Sequence, residues 1–244
     1  MIDTIICGDC LEVMPDIPDN SVDMVLADLP YGVTACKWDT PLPLDDLWLQ
    51  FERIAKQNAA MVFTATQPFA SNLVMSKPTL FRYEWIWDKL RGSNFLLARK
   101  RPMKRHENVL IFSHKPTQYN PQMRDREGNK RWGYPPKPIR APTEIYDVVL
   151  KQGDIQEKAL PHSILKFPVI TNNNEIRYHA TQKPVALFEY LIRTYTNDGD
   201  TVLDPTAGSG TTAVACKRSE RHYICIEKEP EYCAIAEKRL AEIL

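Results

Sequence analysis

Residues 201–212 read TVLDPTAGSGTT. A short apolar, β-branched run ends at Asp204, a tight turn follows through Ala207, Gly208, Ser209 and Gly210, and Thr211 opens a helix-like stretch. Glycine at such places allows a positive φ and lets a ligand approach the backbone, while a helix start favours an anionic group. Two nucleotide-binding patterns fail here. There is no GxxxxGK[ST], and the GxG lacks the third glycine of the dinucleotide fingerprint. A second apolar run, 223–226, ends at Glu227. An acid at the end of the next strand, roughly 20 residues on, is where nucleoside cofactors have their ribose hydroxyls held. The stretch therefore reads as strand, turn, helix and strand of an open α/β sheet, suited to an adenosine ligand whose anion is a carboxylate.

Working outward, short apolar runs alternate with helix-like stretches, as in a mostly parallel sheet covered by helices. Strands are expected at 4–7, 22–27, 60–65, 83–87, 108–112, 201–203 and 223–226. Helices are expected at 44–57, 68–75, 185–194, 211–218 and 231–244. Between 119 and 177 the periodicity fails and prolines accumulate, so this segment is expected to be an irregular insertion. It separates a first half, 1–118, from a second, 178–244. Strand, helix, strand and helix close the second half, and the next strand in that winding is 4–7. Asp9, just past it, then faces the ligand crevice and could accept a hydrogen bond from an adenine amine, or could be an ordinary turn residue.

The other informative stretch is VDMVLADLPYGV, 22–33. It delivers Asp28, Leu29, Pro30 and Tyr31 to the carboxyl end of a strand, where ligands bind in open sheets. Chemistry on an amino group inside a duplex requires the base to be extruded. Its pocket needs a flat aromatic and acceptors facing the amine. Tyr31 supplies the first, Asp28 and a neighbouring main-chain carbonyl the second, and Pro30 stiffens the turn.

Together these elements resemble the amino-methylating DNA methyltransferases. DLPY stands for their D/N/S-P-P-Y tetrad and DPTAGSGTT for their cofactor loop, in the tetrad-first order of the β class. His179-Ala-Thr-Gln-Lys-Pro184 resembles the motif that helps close the methionine pocket, and Arg105-His106-Glu107-Asn108 a late sheet strand. The likeness covers about 1–115 and 178–244. It implies a Rossmann-like S-adenosylmethionine-dependent methyltransferase fold, α/β and circularly permuted, with a target-recognition insertion. The implied cofactor is S-adenosylmethionine without a metal. Its site would be Asp9, Asp28, Lys183, Asp204, Thr206, Ala207, Gly208, Ser209, Gly210, Thr211 and Glu227. Asp28, Leu29, Pro30 and Tyr31 would carry catalysis. Leu29 departs from the usual proline but keeps the carbonyl that the tetrad offers to the amine. β-class members with Asp first in the tetrad act on the 6-amine of adenine, which makes adenine the expected target and the 4-amine of cytosine the alternative.

The 244-residue chain has no net charge, yet its charge is uneven. Between Arg82 and Arg140 fifteen basic residues face five acids, an excess of ten. Beside a base-flipping pocket this points to nucleic acid, and the resemblance implies double-stranded DNA, with Arg124, Arg126, Lys130 and Arg131 expected on phosphates. Tyr119, Trp132 and Tyr134 could stack on bases. The six cysteines lack a disulfide framework, and Cys7 and Cys10 have no second pair for zinc. No apolar run approaches the ~18 residues of a membrane span and no leader is evident, so a cytoplasmic bacterial or phage protein is expected. A homodimer is left open. RNA or protein-glutamine methylation by the same tetrad, and an inactive nucleic-acid-binding module, remain as rivals. An intact Asp28, Tyr31 and Glu227 speak against the last.

Overall fold

A central strand sets the architecture. In VDMVLA every residue but Asp23 is buried, and the side chains alternate between two cores. Val25 and Ala27 enter one apolar cluster, Met24 and Leu26 the other. A strand covered on both faces reads as a continuous apolar run because neither face meets water.

The computed structural model describes residues 2–32, 40–125, 158–171, 178 and 182–243. The first half contains β1 (Thr4–Cys7), α1 (Cys10–Val13), β2 (Val22–Ala27), α2 (Leu44–Ile54), β3 (Ala55–Ala65), α3 (Phe69–Ser76), β4 (Phe81–Ser93) and β5 (Lys104–Phe112). Three short strands follow: β6 (Arg124–Asp125), β7 (Lys158–Ala159) and β8 (Ile164–Lys166). The chain then forms α4 (Val185–Tyr195), β9 (Thr201–Asp204), α5 (Thr211–Arg218), β10 (His222–Glu227) and α6 (Pro230–Ala241). Among the described residues, eight strands make one sheet in the order β1-β10-β9-β2-β3-β5-β4-β8. The links from β1 to β3 are parallel, β5 runs antiparallel between β3 and β4, and β8 joins β4 in parallel.

The expected winding across the two halves is present. Thr4 pairs with Ile224 and Cys7 with Glu227, so β1 completes the sheet beside β10 in parallel. α2 shows why the faces close. Leu47, Trp48, Phe51 and Ile54 recur at helical spacing and are buried, with Asp45 and Asp46 in the first turn and Arg53 in the last, as the helix dipole favours. On the opposite face Leu187, Phe188 and Leu191 of α4 pack with Val214 of α5 and Leu240 of α6.

Some expectations shift. The helix expected over 44–57 stops at Ile54, and β3 begins at Ala55 rather than at 60. Residues 56–58 are too polar to register as a strand. They nevertheless extend it, with a register irregularity opposite Val22 and Met24 and Lys56 bound to Asp23. β4 and β5 run beyond 83–87 and 108–112 into a long hairpin. Of the expected insertion, 119–177, the described residues are 119–125 and 158–171. The chain divides into one unit of Met1–Asn120 with Ser163–Leu244 and another of Pro121–His162. β8 belongs to the first unit, with Leu165 buried between exposed Ile164 and Lys166. Three residues are too few for a period to be legible. Within the second unit Arg124 pairs with Ala159 across β6 and β7. No described helix is long and apolar enough to cross a membrane.

Candidate active site

The carboxyl ends of β2, β9 and β10 open on a cleft of about 1060 Å³. Each strand delivers one acid to it: Asp28, Asp204 and Glu227. The glycine turn is fastened by those acids. Glu227 Oε2 accepts from Gly208 N at 2.7 Å and Oε1 from Glu229 N at 2.8 Å. Asp204 accepts from Thr206 N at 3.0 Å and from the Thr212 hydroxyl. Burial pushes the Asp204 carboxyl up to about 7, against the pull of those two donors. Gly208 and Gly210 both adopt positive φ, 53° and 76°. A Cβ at Gly208 would meet nothing within 4 Å, whereas one at Gly210 would stand 2.6 Å from Ala236 Cβ. The first glycine leaves room for a ligand and the second lets α6 approach.

The tetrad turn is assembled from remote segments. Asp28 Oδ1 accepts from Tyr31 Oη at 2.6 Å and from Thr64 Oγ1 at 2.5 Å, and Oδ2 binds Lys183 Nζ. Thr206 Oγ1 donates to the Asp28 carbonyl at 3.2 Å, joining the turn to the glycine loop. The Tyr31 ring lies 5.2 Å from that of Phe69, with Lys183 Nζ 5.7 Å from its centroid. Leu29 is buried in the apolar core, so its side chain packs while its backbone borders the cleft. That is why leucine is accommodated at this position.

Behind Asp28 lies a charged floor that the sequence did not reveal. Glu107 on β5 binds Lys89 on β4 at 2.5 Å, and Lys183 lies 3.8 Å from its other oxygen. Burial alone would lower the Lys183 ammonium. Asp28 and Glu107 outweigh it, and the group is held above its usual value. Glu107 is the converse: burial pushes it up, but Lys183, Lys89 and Lys104 hold it below the ordinary carboxylate range. Burial, then the Asp28 charge, push the Tyr31 phenol well up, so it stays a neutral donor.

The remaining expected residues fall as follows. Asp9 lines the cleft, caps α1 through Leu11 N at 3.0 Å and binds Lys228 at 3.0 Å. The Lys228 bond, then the cap, lower its pKa. Ala207 borders the cleft, while Ser209 and Thr211 turn their side chains to Arg239 on α6, at 3.0 and 3.5 Å. Their side chains are thus engaged within the fold. Pro30 also lines the cleft. Trp85 and Trp87 are buried, the latter beneath the cleft. Arg124 binds the Leu160 carbonyl at 3.1 Å and His162 at 2.5 Å within the second unit. Arg126, Lys130, Arg131, Trp132, Tyr134 and residues 179–181 lie outside the described residues. Among the described residues no cluster of three or more metal-ligating side chains occurs. Thr64 and Lys89 are the residues missed, and Glu107 stood only in a motif matched to a sheet strand. Thr64 left one signal, a hydroxyl in the apolar run that ends β3.

The N6/N4 methyltransferase family, described as DNA methylase, matches residues 22–238. The type II methyltransferase M.HpaI of Haemophilus parainfluenzae is 27% identical, over 97% of this chain and 73% of its own length. Among solved structures, the M1.HpyAVI–SAM complex superposes with a TM-score of 0.64 at 25% identity, covering 97% of this chain and 98% of that one. The cytosine-N4-specific PvuII DNA methyltransferase has the same fold, with a TM-score of 0.68 at 19% identity over 97% and 85%. A match over most of the chain, on a sheet that brings the tetrad and the glycine loop to one cleft, makes this protein a member of the N6/N4 DNA methylase family.

Proposed function

We propose that the chain moves a methyl group from S-adenosylmethionine to the exocyclic 6-amine of an adenine flipped out of double-stranded DNA. The observation that carries this is the Asp28 carboxylate, held by Tyr31, Thr64 and Lys183 beside the Gly208 turn. The cleft fits the cofactor. Gly208 leaves open space where a side chain would stand, and Glu227 is oriented by two backbone donors. Glu227 and Asp9 would hold the nucleoside, and the turn backbone with Lys183 the methionine end. When bound, the cofactor supplies a methyl group already activated on a sulfonium.

The chain's own work is alignment and charge. Tyr31 offers a ring for the base to stack on, and Asp28 faces the amine as its nitrogen becomes positive. With the cofactor bound, the amine would take the methyl group directly from sulfur, which would keep the electron pair, and the nitrogen would lose a proton to water. Adenine is favoured by Asp at position 28 through the family resemblance. Target reading is assigned to the segment 119–177, with Arg124, Arg126, Lys130 and Arg131 on phosphates.

The test incubates purified protein with unmethylated DNA and S-adenosylmethionine labelled on the methyl group, followed by nucleoside digestion and mass spectrometry. 6-Methyladenine is expected. 4-Methylcytosine alone would overturn the target base and leave the chemistry standing. No label in DNA would overturn the activity.

A further inference from the structure

The tip of the β4–β5 hairpin is an anomaly for a folded surface. Leu96 is 95% exposed and Phe95 77%, with Leu90 and Met103 also exposed. The structure builds this display rather than leaving it slack. Leu90 and Asn94 take left-handed φ of 58° and 66°, a conformation that is strained for a leucine. Leu90 is held there by its N–H on Asp88 Oδ1 at 2.9 Å, and Asn94 opens the short 3-10 turn Phe95–Leu97. Gly92 passes so close to Met103 that a Cβ there would lie 2.9 Å from its methyl carbon, and Ser93 Oγ donates across the hairpin to Lys104 O at 3.0 Å.

Charge identifies the occupant. Residues 89–106 hold seven lysines and arginines and no acid. Arg91, Arg99, Lys100 and Arg101 are exposed around the apolar residues, and none forms an ion pair with a described carboxylate. A second copy of the chain would bring this patch against its own like charge in a two-fold contact, which is unfavourable. A polyanion would not. The hairpin is also continuous with the catalytic cleft: Lys89, Arg91, Gly92 and Ser93 line it. Six residues separate Lys89 in the charged floor from Phe95 at the tip, a reach of at most about 20 Å.

We infer that Phe95 and Leu96 form a wedge that enters the base stack of duplex DNA beside the target, while Arg99, Lys100 and Arg101 grip the flanking phosphates. Apolar side chains inserted at a base step unstack it, and this lowers the cost of extruding a neighbouring base. The inference rests on the proposed methyl transfer to DNA and adds the element that opens the duplex.

The experiment uses two oligonucleotides carrying the site that the protein methylates on plasmid DNA. In one the target base is paired; in the other it faces an abasic position. Wild-type protein must methylate the unpaired form, and failure on every DNA would sink the proposed activity rather than the wedge. Phe95→Ala/Leu96→Ala is expected to lower kcat/KM on the paired duplex by about tenfold or more, with less than about threefold on the unpaired one. Both side chains are exposed, so the melting temperature should hold, and Leu96→Phe should restore the paired substrate. Equal loss on both substrates, or no loss on either, overturns the wedge. A fall in sedimentation mass of the variant with an unchanged ratio assigns the tip to a second copy instead.

Discussion

The two sides of the cleft are made in different ways. The glycine loop between β9 and α5 is local: Asp204, Thr206 and Thr212 bond to one another within nine residues, and Glu227 is the neighbouring strand's last residue. The tetrad turn is the reverse. Asp28 draws its partners from Thr64, 36 residues away, and Lys183, 155 away. The loop is held by backbone donors and a buried acid whose carboxyl burial pushes up, the turn by an ion pair of Asp28 with Lys183. One side is a shape, the other an electrostatic balance that exists only when the whole chain has folded.

If so, breaking each side should fail differently. The largest effect is expected from Asp28→Ala, which removes the acceptor but no core packing. Turnover should fall a hundredfold or more, about 3 kcal/mol, with cofactor affinity within a few-fold of wild type. Turnover close to wild type would remove Asp28 from the chemistry.

Gly210→Ala attacks the shape side. The left-handed φ and the 2.6 Å approach to Ala236 Cβ should together destabilise the fold by about 2–3 kcal/mol. Chemical denaturation measures this, and Ala236→Gly should return part of it. A silent Gly210→Ala would mean that the loop is not tightly built.

A smaller effect follows from Asp204, whose pKa in the fold lies near 7. An acid raised on folding binds its proton more tightly in the native state, so its contribution is present at low pH and lost as pH climbs from about 4 through 7. Asp204→Asn should therefore gain stability over wild type at pH 8, on the order of 1–2 kcal/mol, and lose that advantage near pH 4. Part of the gain is offset because the Thr212 hydroxyl would have to accept from an amide. Melting curves of both proteins from pH 4 to 8 test it. Parallel curves would contradict a buried, proton-sharing Asp204.

The smallest change concerns the proposed DNA contact of Arg124. Arg124→Ala should reduce the slope of log affinity against log salt by about one. An unchanged slope would leave Arg124 to its contacts with Leu160 and His162.

This contrast also explains what could be read from the chain alone. β1, β2 and α5 fall where their runs of small and apolar residues put them, because an element packed on its faces leaves such a run in the sequence. The glycine loop was legible for the same reason, since its determinants are neighbours. Thr64, Lys89 and the part played by Glu107 were not, because a polar residue in a strand gives no hint of which distant carboxylate or ammonium it will face. Lys183 surfaced only through a motif, and its grip on Asp28 needed the fold. β8 and the start of β3 escaped because three residues, or a polar run, carry no period.

The parallel pairing of β1 with β10 has a consequence for how the protein comes into being. Cys7 and Glu227 are partners, so β1 waits for a strand synthesised about two hundred residues later. At about 5–20 residues per second that wait is on the order of ten seconds or more. Until then β9 and β1 each lack the strand that belongs between them, and the cleft has neither Glu227 nor a fixed Gly208. Cofactor binding cannot help to assemble the sheet until β10 has been made.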